Sequence, residues 1–175
     1  VTEADVLGEV GRGFQVAMRT FDLFRPSVGS AAIGMAQRAL DLTVEHVVAR
    51  QAFGAPLGAK QAVAHQLADA TISLSASRLL VGQAADAYDT GSDRVTALSA
   101  MAKLHASEAA HHVIDLAVQL HGAKALAADH LVGQLYAEIR ASRIFEGASE
   151  VQRDLIARDL FRGTALDHRK TRERG

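Results

Sequence analysis

Apolar residues recur at steps of three and four along most of the chain, which is the spacing of one face of an α-helix. Long stripes of this kind run over residues 28–49, 63–88 and 98–120 without a proline. A second apolar stripe runs beside the one over residues 28–49, which indicates that this helix packs on two sides. The pattern predicts helices over about residues 14–24, 26–49, 60–88, 93–121, 131–139 and 149–161.

Turn and cap residues separate these predicted helices. Proline suits the first turn of a helix, so Arg25-Pro26 is expected to end one helix and start the next. Gly54, Pro56 and Gly58 mark a loop over residues 50–58. Ser92 or Asp93 is expected to cap the third long helix, and Gly122 to end it.

Three long helices with short connections and a fourth helical segment are typical of an all-α domain, an antiparallel up-and-down four-helix bundle. The many alanines and serines in the stripes favour close approach of the helices. We expect an extended lead-in over residues 1–13, the bundle over residues 14–163, and a charged, disordered tail over residues 164–175.

Composition and charge exclude several classes of function. A net charge of −1 gives no electrostatic case for binding nucleic acid. No apolar run is long enough to span a membrane, and no signal-peptide pattern opens the chain. The sequence has no cysteine, which fits a cytoplasmic protein. Because the chain begins with Val1, we expect that it is processed or cut from something longer.

Glu146 is the candidate base that the residues themselves indicate. It follows two apolar residues, precedes Gly147, and lies at the seam between two helical segments. A structural glutamate that caps the last helix explains the same pattern. His111, His112 and Asp115 share one helix but supply no third and fourth ligand in a common direction, so no metal site is predicted. His46, within an apolar stripe, reads as a core histidine.

Several motifs in order resemble the C-terminal domain of the flavin-dependent acyl-CoA dehydrogenases. The segment from Phe145 to Arg153 is similar to the family's Tyr/Phe-Glu-Gly-Thr/Ala-Ser-Glu-x-Gln-Arg signature. With further similarities upstream, the resemblance covers roughly residues 5–163. The upstream similarities are Leu7 to Phe14, Arg25-Pro26, Arg50 to Gly54 with Gln61, Ala102-Lys103 and Gln119.

The resemblance implies that Glu146 removes the α-proton of an acyl-CoA thioester while a hydride passes from the β-carbon to FAD. That proton is a weak acid, so its base needs a raised pKa, which burial supplies. Some members carry the base instead beside the Arg-Pro pair, where this chain has Phe24. Glu146 therefore has no rival.

The resemblance also implies contacts with cofactor and substrate. Arg50, Phe53, Gln61 and Gln119 would contact the FAD of a neighbouring subunit, which implies a homo-oligomer, a dimer or a tetramer. Without the resemblance, Arg50 reads as a solvated helix end. Phe145 and Gly147 would lie at the thioester, although Phe145 alone reads as core.

Arg25 has two readings that stay open at this stage. It would line the acyl-CoA pocket, as the resemblance implies, or hold the Arg-Pro kink through backbone carbonyls. The sequence also departs from the family in two places. The family's Gly-Gly-x-Gly is here Gly122-Ala123-Lys124-Ala125, so Ala123 and Ala125 are excluded from the flavin site. Ala148 replaces the usual threonine.

Members of this family also have an N-terminal helical domain and a middle β-domain, and we expect this chain to hold only the C-terminal bundle. One hypothesis is that it is the C-terminal domain of an acyl-CoA dehydrogenase, inactive or very weak alone. It is otherwise a non-catalytic assembly subunit of a full dehydrogenase, or half of a split enzyme whose partner chain carries the other domains. Acyl chain length and electron acceptor are left open.

Overall fold

The computed structural model describes residues 2–164 and 166–167, and it is almost entirely helical. The predicted all-α class is confirmed. The helices are α1 (Gly13–Ala49), α2 (Gln61–Asp89), α3 (Val95–His121), α4 (Leu131–Ile139) and α5 (Ser149–Leu160). The strands are β1 (Gln51–Ala52) and β2 (Ala55–Pro56), and 3-10 turns lie at Glu3–Asp5, Leu57–Ala59, Gly122–Leu126 and Arg140–Arg143.

Helices α1, α2 and α3 alternate in direction, and α4 and α5 together form the fourth member of the bundle. Arg143, before α5, contacts Glu108 of α3, and Asp159, near the end of α5, contacts Arg94 just before α3. The segment from Arg143 to Asp159 therefore runs antiparallel to α3. This fourth member is interrupted about halfway, between Arg143 and Ser149.

The expected break at Arg25-Pro26 is wrong, because α1 is one helix of 37 residues that passes through Pro26. Proline has no N–H to offer the carbonyl four residues earlier, which belongs to Asp22. The Ser99 hydroxyl of α3 donates to that carbonyl over 2.7 Å. A tertiary contact therefore replaces the missing helical hydrogen bond, and the helix continues.

The predicted loop after α1 contains a small hairpin. Gln51 pairs with Pro56 and Ala52 with Ala55 in antiparallel register. Phe53 and Gly54 form its tip, and both have positive φ, 53° and 77°. Two-residue hairpin turns of this kind need positive φ at both positions, which a glycine supplies without strain.

The expected cap of α3 is also corrected. The N-cap residue of α3 is Arg94, which makes no side-chain cap. The Ser92 hydroxyl instead accepts a hydrogen bond from the Arg94 N–H over 3.2 Å, within the turn that precedes α3. Gly122 ends α3 with a φ of 61°, as predicted.

Small residues let the long helices approach closely. Ala32, Ala36, Ala102 and Ala106 are fully buried. A Cβ on Gly29 of α1 would lie 3.3 Å from the Ala106 Cβ of α3, tighter than an ordinary contact. The first half of α1 therefore packs directly against α3.

Some predictions concern the ends of the chain. The lead-in has one 3-10 turn at Glu3–Asp5, and the domain limits stay predictions. Apart from residues 164, 166 and 167, the predicted disordered tail lies outside the described residues. Within the described part of the chain, no helix has the length and apolar character to cross a bilayer.

Candidate active site

The Glu146 loop, residues 144–148, links the turn Arg140–Arg143 to α5. Glu146 has a φ of 56° and Gly147 a φ of 92°. A non-glycine residue in this left-handed region costs on the order of 1–3 kcal/mol and persists only when its surroundings enforce it. A side chain at Gly147 is strained at this φ, and its Cβ would also displace the side-chain amide of Gln152.

Both ends of the Glu146 loop are fixed to one carboxylate on α3. The Ser149 hydroxyl donates to Glu108 Oε1 over 2.6 Å, and an Arg143 guanidinium nitrogen lies 2.9 Å from Glu108 Oε2. Partial burial raises the pKa of Glu108. The hydrogen bonds from Ser149 and Arg143 and the nearby arginine charges outweigh it, and the pKa falls below its usual value.

Three buried side chains donate to the backbone carbonyls in the middle of the loop. Gln152 Nε2 lies 3.0 Å from the Glu146 oxygen and 2.9 Å from the Gly147 oxygen. Lys103 Nζ lies 2.8 Å from the Gly147 oxygen. Arg25 Nε lies 3.4 Å from the Glu146 oxygen. These donors come from α5, α3 and α1, so three helices determine the path of the loop.

Arg25 is itself held from the side of α1. Its guanidinium lies 3.2 Å from Asp22 Oδ1 and over the ring of Phe21. The Thr96 hydroxyl of α3 donates to the other Asp22 oxygen over 2.6 Å. Arg25 does contact a backbone carbonyl, as one of its two readings expected. That carbonyl belongs to Glu146, however, and not to a kink in α1. Contact with acyl-CoA stays a prediction.

Burial shapes the charges beneath the loop. It lowers the pKa of Lys103, and the neighbouring charge of Arg25 lowers it further, while Glu108 and Glu146 oppose that change. Burial also lowers the pKa of Arg25, opposed by Asp22 and Glu146. The carboxylates of the site therefore favour the charged forms of both buried cations.

One oxygen of the Glu146 carboxylate takes no part in the hydrogen bonds that hold the loop. This oxygen, Oε2, is buried and has no hydrogen-bond partner among the described residues. The N-cap of α5 is Ala148, which makes no side-chain cap, so the reading of Glu146 as a helix cap is wrong. A buried polar atom without a partner is unusual, and this oxygen is available to accept a hydrogen bond or a proton.

Exposed apolar side chains occur on the Glu146 loop and on the part of α1 that contacts it. Phe145 is 48% exposed, which contradicts its reading as a core residue. Phe24 of α1 is half exposed as well, and Ile144 is exposed. The Glu146 loop thus combines one unpartnered carboxylate with apolar surface open to a further molecule.

The residues predicted to bind cofactor lie at one end of the bundle, far from the Glu146 loop. Arg50, Phe53, Gln61 and Gln119, here called the Arg50 end, sit where α1 ends, α2 begins and α3 ends. All four are exposed, Phe53 to 93%, and none makes a side-chain hydrogen bond or ion pair within the described part of the chain. At 1.5 Å per residue, Arg25 and Arg50 are separated by about 37 Å of helix.

Three histidines cluster near the Arg50 end. The rings of His46 and His121 stack at 4.3 Å, and His130 meets His121 edge-on at 5.0 Å. His46 is therefore part of a partly exposed stack, and its reading as a core residue is corrected. Burial, with the charges of His46, His130 and Lys124, lowers the pKa of His121 to about 4.

The described residues contain no group of three ligands suited to a metal ion. His111 lies away from the histidine cluster, against Tyr136 at 5.7 Å. Stacked rings do not direct their nitrogens to a common point, which a metal requires.

The unusual stretch Gly122 to Ala125 folds back onto α4. Ala125 is buried, and a Cβ on Gly133 of α4 would overlap the Ala125 carbonyl. Ala125 therefore belongs to the core. Lys124 remains exposed near the histidine cluster.

Comparison with known proteins gives a family for this arrangement. Residues 11–161 match the family described as "Acyl-CoA dehydrogenase, C-terminal domain". The chain belongs to the acyl-CoA dehydrogenase family. The match includes the Glu146 loop and the Arg50 end, and it confirms the resemblance inferred from the sequence.

Members of the acyl-CoA dehydrogenase family with known names or structures are similar along nearly the whole chain. This chain is 37% identical to cyclohexane-1-carbonyl-CoA dehydrogenase of Geobacter metallireducens, and the alignment covers 94% of this chain and 43% of that protein. Butyryl-CoA dehydrogenase from Megasphaera elsdenii superposes with a TM-score of 0.89 at 35% identity, covering 93% and 42%. A structure titled "PigA with FAD and proline" gives 0.87 at 29% identity, covering 91% and 42%.

The chain thus spans roughly two fifths of the length of these acyl-CoA dehydrogenase relatives. Sequence reasoning missed the roles of Lys103, Gln152 and Glu108 around the loop. One signal was available for Lys103. Ser99, Lys103 and Ser107 repeat at steps of four beside the apolar stripe of α3, and all three are buried.

Proposed function

We propose that this chain is the helical C-terminal part of an FAD-dependent acyl-CoA dehydrogenase, with Glu146 as the base that removes the α-proton of the thioester. The observation that carries the proposal is the buried, unpartnered Oε2 of Glu146, held on a fixed loop beside exposed apolar side chains. A general base must be positioned and free to accept a proton, and this carboxylate is both.

The chemistry of the reaction fits these residues. The α-proton next to a thioester is removed efficiently when a base lies within hydrogen-bond reach of it, and exclusion of water strengthens that interaction. Phe145 offers exposed apolar surface next to Glu146 in sequence, and the half-exposed Phe24 precedes Arg25, which contacts the Glu146 carbonyl. We propose that Phe145 and Gly147 lie along the thioester end of the substrate, and that Arg25 supports the loop from below.

The Arg50 end has the donor set that suits the phosphates and rings of FAD. A guanidinium matches pyrophosphate oxygens, glutamine amides suit ribose and adenine, and an exposed aromatic ring provides a stacking surface. When bound, FAD supplies the hydride acceptor for the β-carbon. The protein's part is to hold the cofactor through Arg50, Phe53, Gln61 and Gln119.

The position of the Arg50 end supports a homo-oligomer. The flavin ring must lie beside the substrate near Glu146, and a short ribityl chain joins that ring to the pyrophosphate. About 37 Å of helix separates the two regions within one chain, too far for one FAD to contact both. We infer that the Arg50 end of one copy completes the flavin site of another copy, in a dimer or a tetramer.

The substrate class is an acyl-CoA, and its acyl group is not fixed by this chain. One relative is named for cyclohexane-1-carbonyl-CoA and another for butyryl-CoA, while a structural neighbour is titled with FAD and proline. The fold therefore carries different substrates. The cytoplasmic location stays a prediction from the cysteine-free composition.

The test uses this chain together with the parts that its relatives carry in their remaining length, here called the assembled flavoenzyme. Bleaching of its flavin absorbance is measured after acyl-CoA is added, for the wild type, Glu146→Gln and Glu150→Gln. Glu150 is an exposed carboxylate on α5 and serves as the matched control. We expect Glu146→Gln to retain FAD but to bleach at least about 100-fold more slowly, with Glu150→Gln unchanged.

Two results would contradict the proposal. Wild-type bleaching rates in Glu146→Gln would remove Glu146 as the base. If the assembled flavoenzyme retains FAD but its flavin absorbance is not bleached by any acyl-CoA that is added, the reading as a non-catalytic assembly subunit would be favoured.

A further inference from the structure

We propose that Lys103 is a positioning residue, which with Gln152 fixes the left-handed backbone of Glu146 and so aims the base at the substrate. This inference rests on the proposed function of Glu146 as a base. It assigns a role to two buried polar side chains that the α-proton chemistry itself does not use. Neither is exposed to solvent, so neither is available to contact substrate directly.

The donors meet the loop where its backbone is most constrained. The Gly147 carbonyl accepts from both Lys103 Nζ, at 2.8 Å, and Gln152 Nε2, at 2.9 Å. The same Gln152 nitrogen also reaches the Glu146 carbonyl at 3.0 Å. Two successive carbonyls are therefore turned toward the bundle interior. Because the backbone of Glu146 is turned inward, the direction of its side chain is set by the donors beneath it.

A buried lysine needs a reason to be where it is. An ammonium taken out of water is unfavourable unless it is paired and hydrogen-bonded. Lys103 is fully buried, and its one hydrogen bond among the described residues goes to the Gly147 carbonyl. Glu108 and Glu146 favour its charge, while Arg25 opposes it. Its hydrogen bond thus goes to the loop that carries the base.

Removal of Lys103 should loosen the loop without opening the bundle. Methionine has a similar length and fills the same space without a donor, so Lys103→Met leaves the core packed. Gln152 still holds both carbonyls in this variant, which weakens the loop rather than releasing it. Ser107→Ala is the matched control, because Ser107 is buried one turn further along α3 and donates only within its helix.

The first measurement is hydrogen–deuterium exchange of the 175-residue chain, read on peptides covering residues 140–152. We expect Lys103→Met to speed exchange there about tenfold, since one hydrogen bond from a charged donor is lost. Exchange in α2 and in the remainder of α3 should match that of Ser107→Ala. Unchanged exchange over residues 140–152, or an increase along the whole chain, would overturn the proposal.

The second measurement separates positioning from a purely structural role. In the assembled flavoenzyme, Lys103→Met should lower the rate constant of flavin bleaching about 10- to 100-fold, because a misplaced base loses its alignment. The KM for acyl-CoA and the retention of FAD should stay near wild type. A rise in KM with an unchanged rate constant would overturn the proposal.

A second variant covers the case in which Lys103→Met does not fold. Gln152→Met removes the donor shared by both carbonyls and should give the same pattern with an effect at least as large. The Glu146→Gln experiment keeps the two failures apart. Full turnover in Glu146→Gln overturns the proposed function, whereas unchanged exchange in both methionine variants overturns the positioning role even where Glu146 is the base.

Discussion

The residue pairs Phe53-Gly54 and Glu146-Gly147 both have positive φ at each position, but their surroundings differ. In each pair a non-glycine residue with a φ near 55° precedes a glycine with positive φ. The first pair is the tip of a local hairpin, 93% exposed at Phe53. The second is fixed by buried side chains from three helices.

The difference shows which part of the site this chain completes by itself. Around Glu146, the chain supplies both the candidate base and the donors that orient it. At the Arg50 end, the candidate cofactor residues are exposed, and no partner for their side chains occurs in the described part of the chain. We infer that the Glu146 loop is preorganised, whereas the Arg50 end acts when another molecule covers it.

The largest expected effect distinguishes the two glycines directly. Gly147→Ala places a Cβ against the Gln152 amide and should lower the free energy of unfolding by about 3 kcal/mol. Gly54→Ala meets nothing within 4 Å, so it adds only the backbone strain of about 1 kcal/mol. Denaturant unfolding of both variants measures the difference. Equal losses would show that the surroundings of Gly147 do not constrain it.

Acid should destabilise the chain through the histidine cluster near the Arg50 end. The pKa of His121 is about 4 in the folded chain, below the ordinary value of about 6.5 that applies when it is unfolded. The unfolded chain therefore binds the proton first as pH falls. The stabilisation is complete above about pH 6.5 and is lost progressively toward pH 4.

We expect the free energy of unfolding to fall by about 2 kcal/mol more between pH 7 and pH 5 in the wild type than in His121→Gln. His65→Gln is the control, since His65 is exposed on α2. Denaturant unfolding at the two pH values measures this. A wild-type pH dependence that His121→Gln retains would remove His121 as its source.

The Glu146 side of the bundle should depend on the contact that lets α1 pass through Pro26. Ser99→Ala removes the donor to the Asp22 carbonyl and leaves that buried acceptor unpaired, which should cost about 1–2 kcal/mol. Thr71→Ala removes an exposed hydroxyl bond within α2 and should change stability by less than about 0.5 kcal/mol. Thermal unfolding compares the two. Similar small losses would mean that the Asp22 carbonyl needs no partner.

The smallest effect on stability is expected at Arg50. Arg50→Gln should change the free energy of unfolding by less than about 0.5 kcal/mol, because the side chain is exposed. In the assembled flavoenzyme, the same change should weaken FAD binding about 10- to 100-fold, while Arg38→Gln, on an exposed part of α1, should not. Fluorescence titration with FAD measures the affinity of the two variants for the cofactor. An unchanged affinity would argue against the cofactor role of the Arg50 end.

Much of the fold could be predicted because local sequence patterns determine it. The bounds of α2, α3, α4 and α5 follow from apolar spacing and turn residues, and they agree with the structure within about two residues. The passage of α1 through Pro26 could not be predicted in this way. It depends on Ser99, which lies 77 residues from Asp22 in the sequence and meets it only in the bundle.

The same limit applies to the candidate site. Glu146 could be singled out because its neighbours in sequence carry the signal. Lys103 and Gln152 could not be assigned a role, because each acts on a backbone carbonyl and any donor of suitable length satisfies that contact. His46 was misread for a related reason, since its partner His121 lies on another helix.

The central claim, that Glu146 is the base, is tested most directly by exchange of the substrate's own proton. The assembled flavoenzyme is incubated with an acyl-CoA in D₂O, and loss of the α-proton signal is followed by NMR. We predict that the wild type and Glu150→Gln exchange this proton at the same rate, and that Glu146→Gln does so at least about 100-fold more slowly. Exchange at the wild-type rate in Glu146→Gln would contradict the account.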